Sequence, residues 1–139
     1  MRYHALACDY DGTLAQDGRV NDETVKALER LRSSGRRLIM VTGRELEDLQ
    51  RNFARFDLFE QVVVENGALL YDPQTRKERL IAEPPREDFV RMLEAKGVSP
   101  ISVGRAIVAT REPNETTVLK TIRAIFSRPH RPCPILCRC

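Results

Sequence analysis

Residues 3–14 read YHALACDYDGTL. The run from Tyr3 to Cys8 is short and mostly apolar, and it breaks into Asp9, Tyr10, Asp11 and Gly12. A brief apolar run closed by a turn signal reads as a buried strand. Asn21-Asp22-Glu23 then opens a helix: Asn21 can cap it, two acids follow in its first turn, and Gly35 stops it. Val25, Leu28 and Leu31 recur at helical spacing between these ends. Residues 37–42 (RLIMVT) form a second buried strand, Leu46, Leu49 and Phe53 mark a second helix, and residues 61–65 (QVVVE) form a third strand. Strand, helix, strand, helix, strand predicts an α/β fold with a doubly wound parallel sheet. Asn66-Gly67 turns the chain into a hairpin over Ala68 to Tyr71, and Asp72-Pro73 turns it again before Glu78 to Ala82. Pro84-Pro85 marks a domain boundary. Beyond it the pattern predicts a helix over 86–96, one strand over 101–110 and a helix over 114–126.

In a doubly wound sheet, ligands bind outside the carboxyl ends of the strands, which is where Asp9 and Asp11 fall. Two positions apart on extended backbone, their side chains point the same way. One carboxylate can attack a phosphorus atom while the other handles the leaving-group proton. Gly12 permits a tight turn that brings N–H groups close to an anion, and Thr13 adds a hydroxyl donor. A plain Asp-Gly turn with solvated acids is the alternative, but the apolar strand in front argues against it. A calcium loop fails: Leu14 and Val20 stand where it needs Gly and Glu. The second cluster is Val41-Thr42-Gly43-Arg44, at the end of the second strand. There Thr42 would lie beside Asp9 with its hydroxyl free for a phosphoryl oxygen, while Gly43 frees its N–H ahead of a helix N-terminus. Taken alone, Thr42 reads as a helix cap; beside the first cluster it reads as a phosphate ligand, with Gly43, and Arg44 as a weaker substrate contact.

Together, D-x-D-G-T-L at 9–14, T-G-R at 42–44 and E-N-G-A at 65–68 resemble the haloacid dehalogenase-like (HAD) hydrolases. More narrowly, they resemble the subgroup whose α/β cap is inserted after the third core strand, which includes sugar-phosphate phosphatases and phosphomannomutases. The likeness spans roughly residues 3–126. It implies a Rossmann-like core over 1–83 and the beginning of a cap over 84–126. It further implies that Asp9 is the nucleophile forming an aspartyl-phosphate, and that Asp11 protonates the leaving alcohol and then activates water. Mg²⁺ would be held by the Asp9 carboxylate and the Asp11 backbone carbonyl. Gly12, Thr13, Thr42 and Gly43 would bind the phosphoryl group, and Asn66 would lie near the substrate, although the hairpin turn alone accounts for Asn66.

The family completes its site with a lysine and a later acidic loop, usually Gly-Asp-x-x-Asn-Asp. This chain has neither in the required order: its last Asp is Asp88, and its lysines are Lys26, Lys77, Lys96 and Lys120. Residues 127–139 (SRPHRPCPILCRC) are dense in Arg, Pro and Cys and show no periodicity, so they read as an irregular tail foreign to the fold, from a truncated or frame-shifted gene. Reading His130, Cys133, Cys137 and Cys139 as zinc ligands meets an irregular, crowded spacing.

The bulk properties agree with a soluble domain. The chain has 139 residues, 42% hydrophobic and 31% charged, with a net charge of +3. Arg128, Arg131 and Arg138 in the tail supply that excess, since residues 1–126 carry 20 basic and 20 acidic side chains. The charge therefore gives no case for nucleic-acid binding. No apolar run reaches the ~18 residues of a membrane span, and the N-terminus lacks a signal-peptide pattern, which points to the cytoplasm. Cys8 reads as a buried small hydrophobe. The expected function is a Mg²⁺-dependent phosphomonoester hydrolase for a small phosphorylated metabolite, such as a sugar phosphate. The alternatives are a phosphomutase of the same superfamily, or a non-catalytic fragment that at most binds phosphate.

Overall fold

The computed structural model describes residues 3–126 and 135–138, and the chain divides into two compact units, Met1–Ile81 and Ala82–Cys139. The first unit contains strands β1 (Ala5–Asp9), β2 (Arg37–Val41), β3 (Gln61–Val64), β4 (Leu69–Asp72) and β5 (Lys77–Leu80), with helices α1 (Asp22–Ser33) and α2 (Leu46–Asn52). They form one sheet in the order β1-β2-β3-β4-β5. β1, β2 and β3 run parallel, while β4 and β5 return as antiparallel hairpins. This is the expected α/β Rossmann-like architecture.

Local chemistry sets the ends of α1. The Asn21 side chain accepts the Thr24 N–H at 2.8 Å, Asp22 and Glu23 face the positive helix end, and Gly35 adopts φ +82° just beyond the C-cap. Leu28 of α1 and Leu46 and Leu49 of α2 pack with Leu38, Met40, Val62, Val64, Leu69 and Tyr71 in a single cluster. Each such fully buried side chain contributes roughly 1.5–3 kcal/mol. Both helices thus cover the same face of the sheet. Ile39, Val41, Val63 and Leu70, at the intervening positions, lie outside that cluster.

β1 departs from expectation. It reads as a buried strand but ends the sheet, and Ala5, Leu6 and Ala7 are exposed, Leu6 by 37%. Composition cannot separate an edge strand from a central one, because both need the same β-forming apolar residues. Between β3 and β4, Glu65, Asn66 and Gly67 all take positive φ, at 52°, 56° and 91°. The Asn66-Gly67 turn is therefore a three-residue left-handed corner. Two residues with side chains in that region cost ~1–3 kcal/mol each. Backbone bonds from Glu65 N–H to the Arg44 carbonyl (3.0 Å) and from Asn66 N–H to the Thr42 carbonyl (3.3 Å) hold the corner.

The second unit has α3 (Glu87–Ala95), β6 (Ile101–Val103), β7 (Ile107–Thr110), α4 (Glu115–Phe126) and β8 (Ile135–Arg138). Phe89, Leu93, Val98, Val108 and Val118 make its core. The single strand expected over 101–110 is two antiparallel strands, turned where Gly104 N–H donates to the Ile107 carbonyl at 2.9 Å. Of the tail expected to be irregular over 127–139, only Ile135–Arg138 are described, and they pair parallel with β7, Ile107 opposite Ile135 through Thr110 opposite Arg138. A four-residue strand is too short to show a periodicity. The proposed zinc ligands fall outside the described residues and side chains.

Candidate active site

β1 and β2 run in register with Asp9 opposite Val41, so Thr42 comes one residue later at the same carboxyl edge. The Thr42 N–H donates to the Val63 carbonyl at 2.9 Å, which ties this edge to the end of β3. Tyr10 is fully buried in the core, with its ring edge-on to Phe53 and its hydroxyl donating to the Gly18 carbonyl at 3.0 Å. With Tyr10 turned inward, its neighbours Asp9 and Asp11 are both exposed. Alternation along the chain thus sends both acids out at the strand end.

The two acids have different surroundings. The Asp9 carboxylate has no hydrogen-bond or ion-pair partner among the described residues. Both oxygens of Asp11 are engaged by Arg44: Nε donates to Oδ2 and Nη2 to Oδ1, each at 2.8 Å. The remaining arm of the guanidinium, Nη1, donates to Asp48 Oδ2 at 2.7 Å. Its central carbon lies 5.3 Å from the Tyr10 ring centroid, within cation–π range. The Asp11 hydrogen bonds, opposed by burial and helped by those of Asp48, raise the Arg44 pKa above its ordinary value. Next door, burial and then the Asp9 charge raise the Cys8 thiol pKa, which leaves Cys8 a half-buried thiol donating to the Ile39 carbonyl at 3.7 Å.

The phosphate-binding candidates are placed unevenly. Gly12 takes φ +72°, as a tight turn requires, but its N–H donates to the Ala15 carbonyl at 2.9 Å. That donor closes the loop in this structure and is not aimed at an anion. Thr13 is exposed on the same loop. Thr42 is 3% exposed, and its Oγ1 accepts the Arg44 N–H at 3.2 Å. It does not cap α2, whose N-cap is Glu45. Gly43 is half-buried, and two residues separate it from the first helical residue, Leu46, so the helix end is not directly at its N–H. Asn66 is exposed at the corner after β3, bonded through its backbone to Thr42. Asp48 was not singled out from the sequence. Its signal is the four-residue spacing from Arg44, which lets an arginine just ahead of the helix reach a carboxylate in the first turn.

No group of three or more His, Cys, Asp or Glu able to hold a metal ion occurs among the described residues. Mg²⁺ keeps several waters and accepts one or two carboxylates. The unpartnered Asp9 carboxylate suits such an ion; Asp11, with both side-chain oxygens on Arg44, has its backbone carbonyl to offer.

The family model for haloacid dehalogenase-like hydrolases matches residues 6–127. YxeH of Bacillus subtilis (strain 168), a phosphatase by name, is 33% identical over 79 residues, covering 54% of this chain and 29% of that protein. A second Bacillus subtilis (strain 168) protein, the 5-amino-6-(5-phospho-D-ribitylamino)uracil phosphatase YitU, is 29% identical over 72 residues, or 51% of this chain and 27% of that one. Among solved structures, the HAD subclass IIB sugar phosphatase BT4131 superposes with a TM-score of 0.54 at 27% identity, covering 88% of this chain and 47% of that chain. The chain thus matches under a third of either curated relative and about half of the sugar phosphatase.

Proposed function

The chain belongs to the haloacid dehalogenase-like hydrolases, and from that premise we propose that it carries the nucleophile half of a Mg²⁺-dependent phosphomonoester hydrolase. The reading is supported by one observation above the rest: an exposed, unpartnered Asp9 at the carboxyl end of a parallel strand, with a second carboxylate two residues on. In the proposed reaction an Asp9 oxygen attacks phosphorus, the bond from phosphorus to the ester oxygen breaks, and the alcohol leaves with a proton from Asp11. Asp11 then takes a proton from water, whose oxygen displaces Asp9 and releases inorganic phosphate. Thr42 and Thr13 contribute hydroxyls and Gly43 an N–H toward the phosphoryl oxygens. Asn66 and Arg44 border the substrate. Mg²⁺, held by the Asp9 carboxylate and the Asp11 carbonyl, would neutralise phosphoryl charge. The named relatives favour a small phosphorylated metabolite, with a sugar phosphate first among candidates; residues 84–126 are proposed as the start of a cap on the family resemblance.

Charge decides how fast this chain can work. At ~4 Å and an effective dielectric of ~20, a pair of unit charges repels by about 4 kcal/mol, and a phosphate dianion facing Asp9 by about twice that. Lysine and a fuller acidic metal site offset such repulsion in the family. No three-ligand cluster is present among the described residues. A residual penalty of ~4 kcal/mol slows the reaction roughly a thousandfold. Purified chain should bind Mg²⁺ at millimolar concentrations or above and turn over slowly. The test is release of inorganic phosphate from sugar phosphates and p-nitrophenyl phosphate, with and without Mg²⁺. Slow, metal-dependent release is expected. Release indifferent to Mg²⁺ and to Asp9→Asn would overturn the proposal.

A further inference from the structure

The Arg44 clamp on Asp11 is at odds with the acid–base work proposed for Asp11. Both Asp11 oxygens accept from one planar fork at 2.8 Å. A carboxyl proton in its usual position, on the side where the fork sits, would collide with the guanidinium, so Asp11 cannot deliver one to a leaving alcohol while both its oxygens accept from Arg44. The clamp must open for chemistry, and three contacts determine how. Asp48 Oδ2 holds the opposite arm of Arg44 at 2.7 Å and is itself held from α2, where Asn52 Nδ2 donates to Asp48 Oδ1 at 3.3 Å and Arg51 lies 3.7 Å away. The Tyr10 ring supports the guanidinium from the buried side. Gly18, at φ +76°, passes close to the fork: a Cβ there would come within 3.4 Å of Nη2. Asp48, Tyr10 and the loop keep Arg44 at the site when the Asp11 bonds break. Asp11, by contrast, has no other side-chain partner among the described residues.

We infer that Arg44 is a positioning residue with two seats: its fork holds Asp11 in the ligand-free molecule and passes to phosphoryl oxygens when a phosphate dianion enters, with Asp48 as the fixed pivot. A dianion competes well for the fork, since charge-assisted bidentate pairing suits phosphate as it suits carboxylate. The exchange couples arrival of the anion to release of Asp11, so the acid–base group is freed only when there is something to act on. This rests on the proposed phosphatase reading.

The test is the Arg44 Nε–Hε resonance of ¹⁵N-labelled chain 1–139, followed with Mg²⁺ and inorganic phosphate. Without phosphate, the Hε should exchange slowly and sit at the shift of a carboxylate-bound guanidinium. Saturating phosphate should move it, together with the amides of Thr13 and Gly43. Asp48→Asn should speed Hε exchange in the free chain and weaken phosphate binding about three- to tenfold. Arg44→Lys, which keeps the charge and loses the fork, should weaken phosphate without altering Mg²⁺ binding. If the Thr13 and Gly43 amides move while the Arg44 Hε stays unchanged, the two-seat inference is overturned and the phosphate site stands. If no resonance at this edge responds to phosphate, the phosphatase reading fails and the handover fails with it. An Hε that already exchanges freely without ligand overturns the clamp itself.

Discussion

The two ends of the first unit's sheet are both crowded with charge, yet they are organised differently. At the amino end, Arg55 holds Glu29 and Asp57 at 2.8 and 2.9 Å, Arg32 donates to the Asp57 carbonyl, and Arg37 meets Glu60 at 3.4 Å. Each of these acids has a basic partner. At the carboxyl end, Asp11 and Asp48 share Arg44, and Asp9 is left with none among the described residues. Complementary pairs at the rim of a fold make a solvated surface that asks for nothing more. An acid left without a partner beside a buried threonine makes a place where a cation and an anion can enter. The contrast teaches that a site is marked here by imbalance of charge, since the density of charge is high at both ends.

The largest effect is expected at Asp9. Whatever phosphate release the chain supports should vanish in Asp9→Asn, with the fold kept; release at more than a trace of the parental rate would remove Asp9 from the mechanism. The next effect is at Asp11. Asp11→Asn should cost ~10²–10⁴-fold on alkyl phosphates. The loss should be smaller on p-nitrophenyl phosphate, whose leaving group needs no proton, and equal losses on both would count against the acid role.

The amino end should be silent in every such assay. Arg55→Met leaves Glu29 and Asp57 without their shared partner but should leave Mg²⁺ and phosphate affinity unchanged. Its consequence lies in acid stability. The Arg55 hydrogen bonds hold the Asp57 carboxyl below its ordinary value. A lowered native pKa means that the unfolded chain takes up the proton first. The contribution is therefore complete above the unfolded value of about 3.9 and is lost as pH falls through the lower native one. Thermal midpoints of parent and Arg55→Met should differ near neutrality and converge in strong acid. A gap that widens in acid would reverse the assignment, and a change in phosphate binding would erase the distinction between the two ends.

Much of this was legible from residues alone, and the limits have physical causes. The helix caps of α1 and the turn at Gly12 depend on neighbours a few positions away, so Asn21, Gly35 and Gly12 could be read directly. The side-by-side placement of Asp9 and Thr42 follows from parallel pairing. The Arg44–Asp11 fork joins residues 33 apart, and no local pattern encodes which acid an arginine will choose. Asp48 was within reach, four residues from Arg44, but a basic and an acidic residue at that spacing are common in any sequence. The exposure of β1 could not be read, because edge position depends on which strands lie beside it. The split of residues 101–110 into β6 and β7 was hidden by apolar residues on both sides of Gly104.

The unpartnered carboxylate of Asp9 is the one proposed to take the phosphoryl group. This is tested most directly by exposing chain 1–139 to acetyl phosphate and Mg²⁺, quenching in acid and mapping the modified peptide by mass spectrometry. One phosphoryl group is expected, acid-stable and base-labile, on Asp9, absent without Mg²⁺ and absent from Asp9→Asn. Phosphorylation at Asp11 or elsewhere, or the same label in Asp9→Asn, would contradict it.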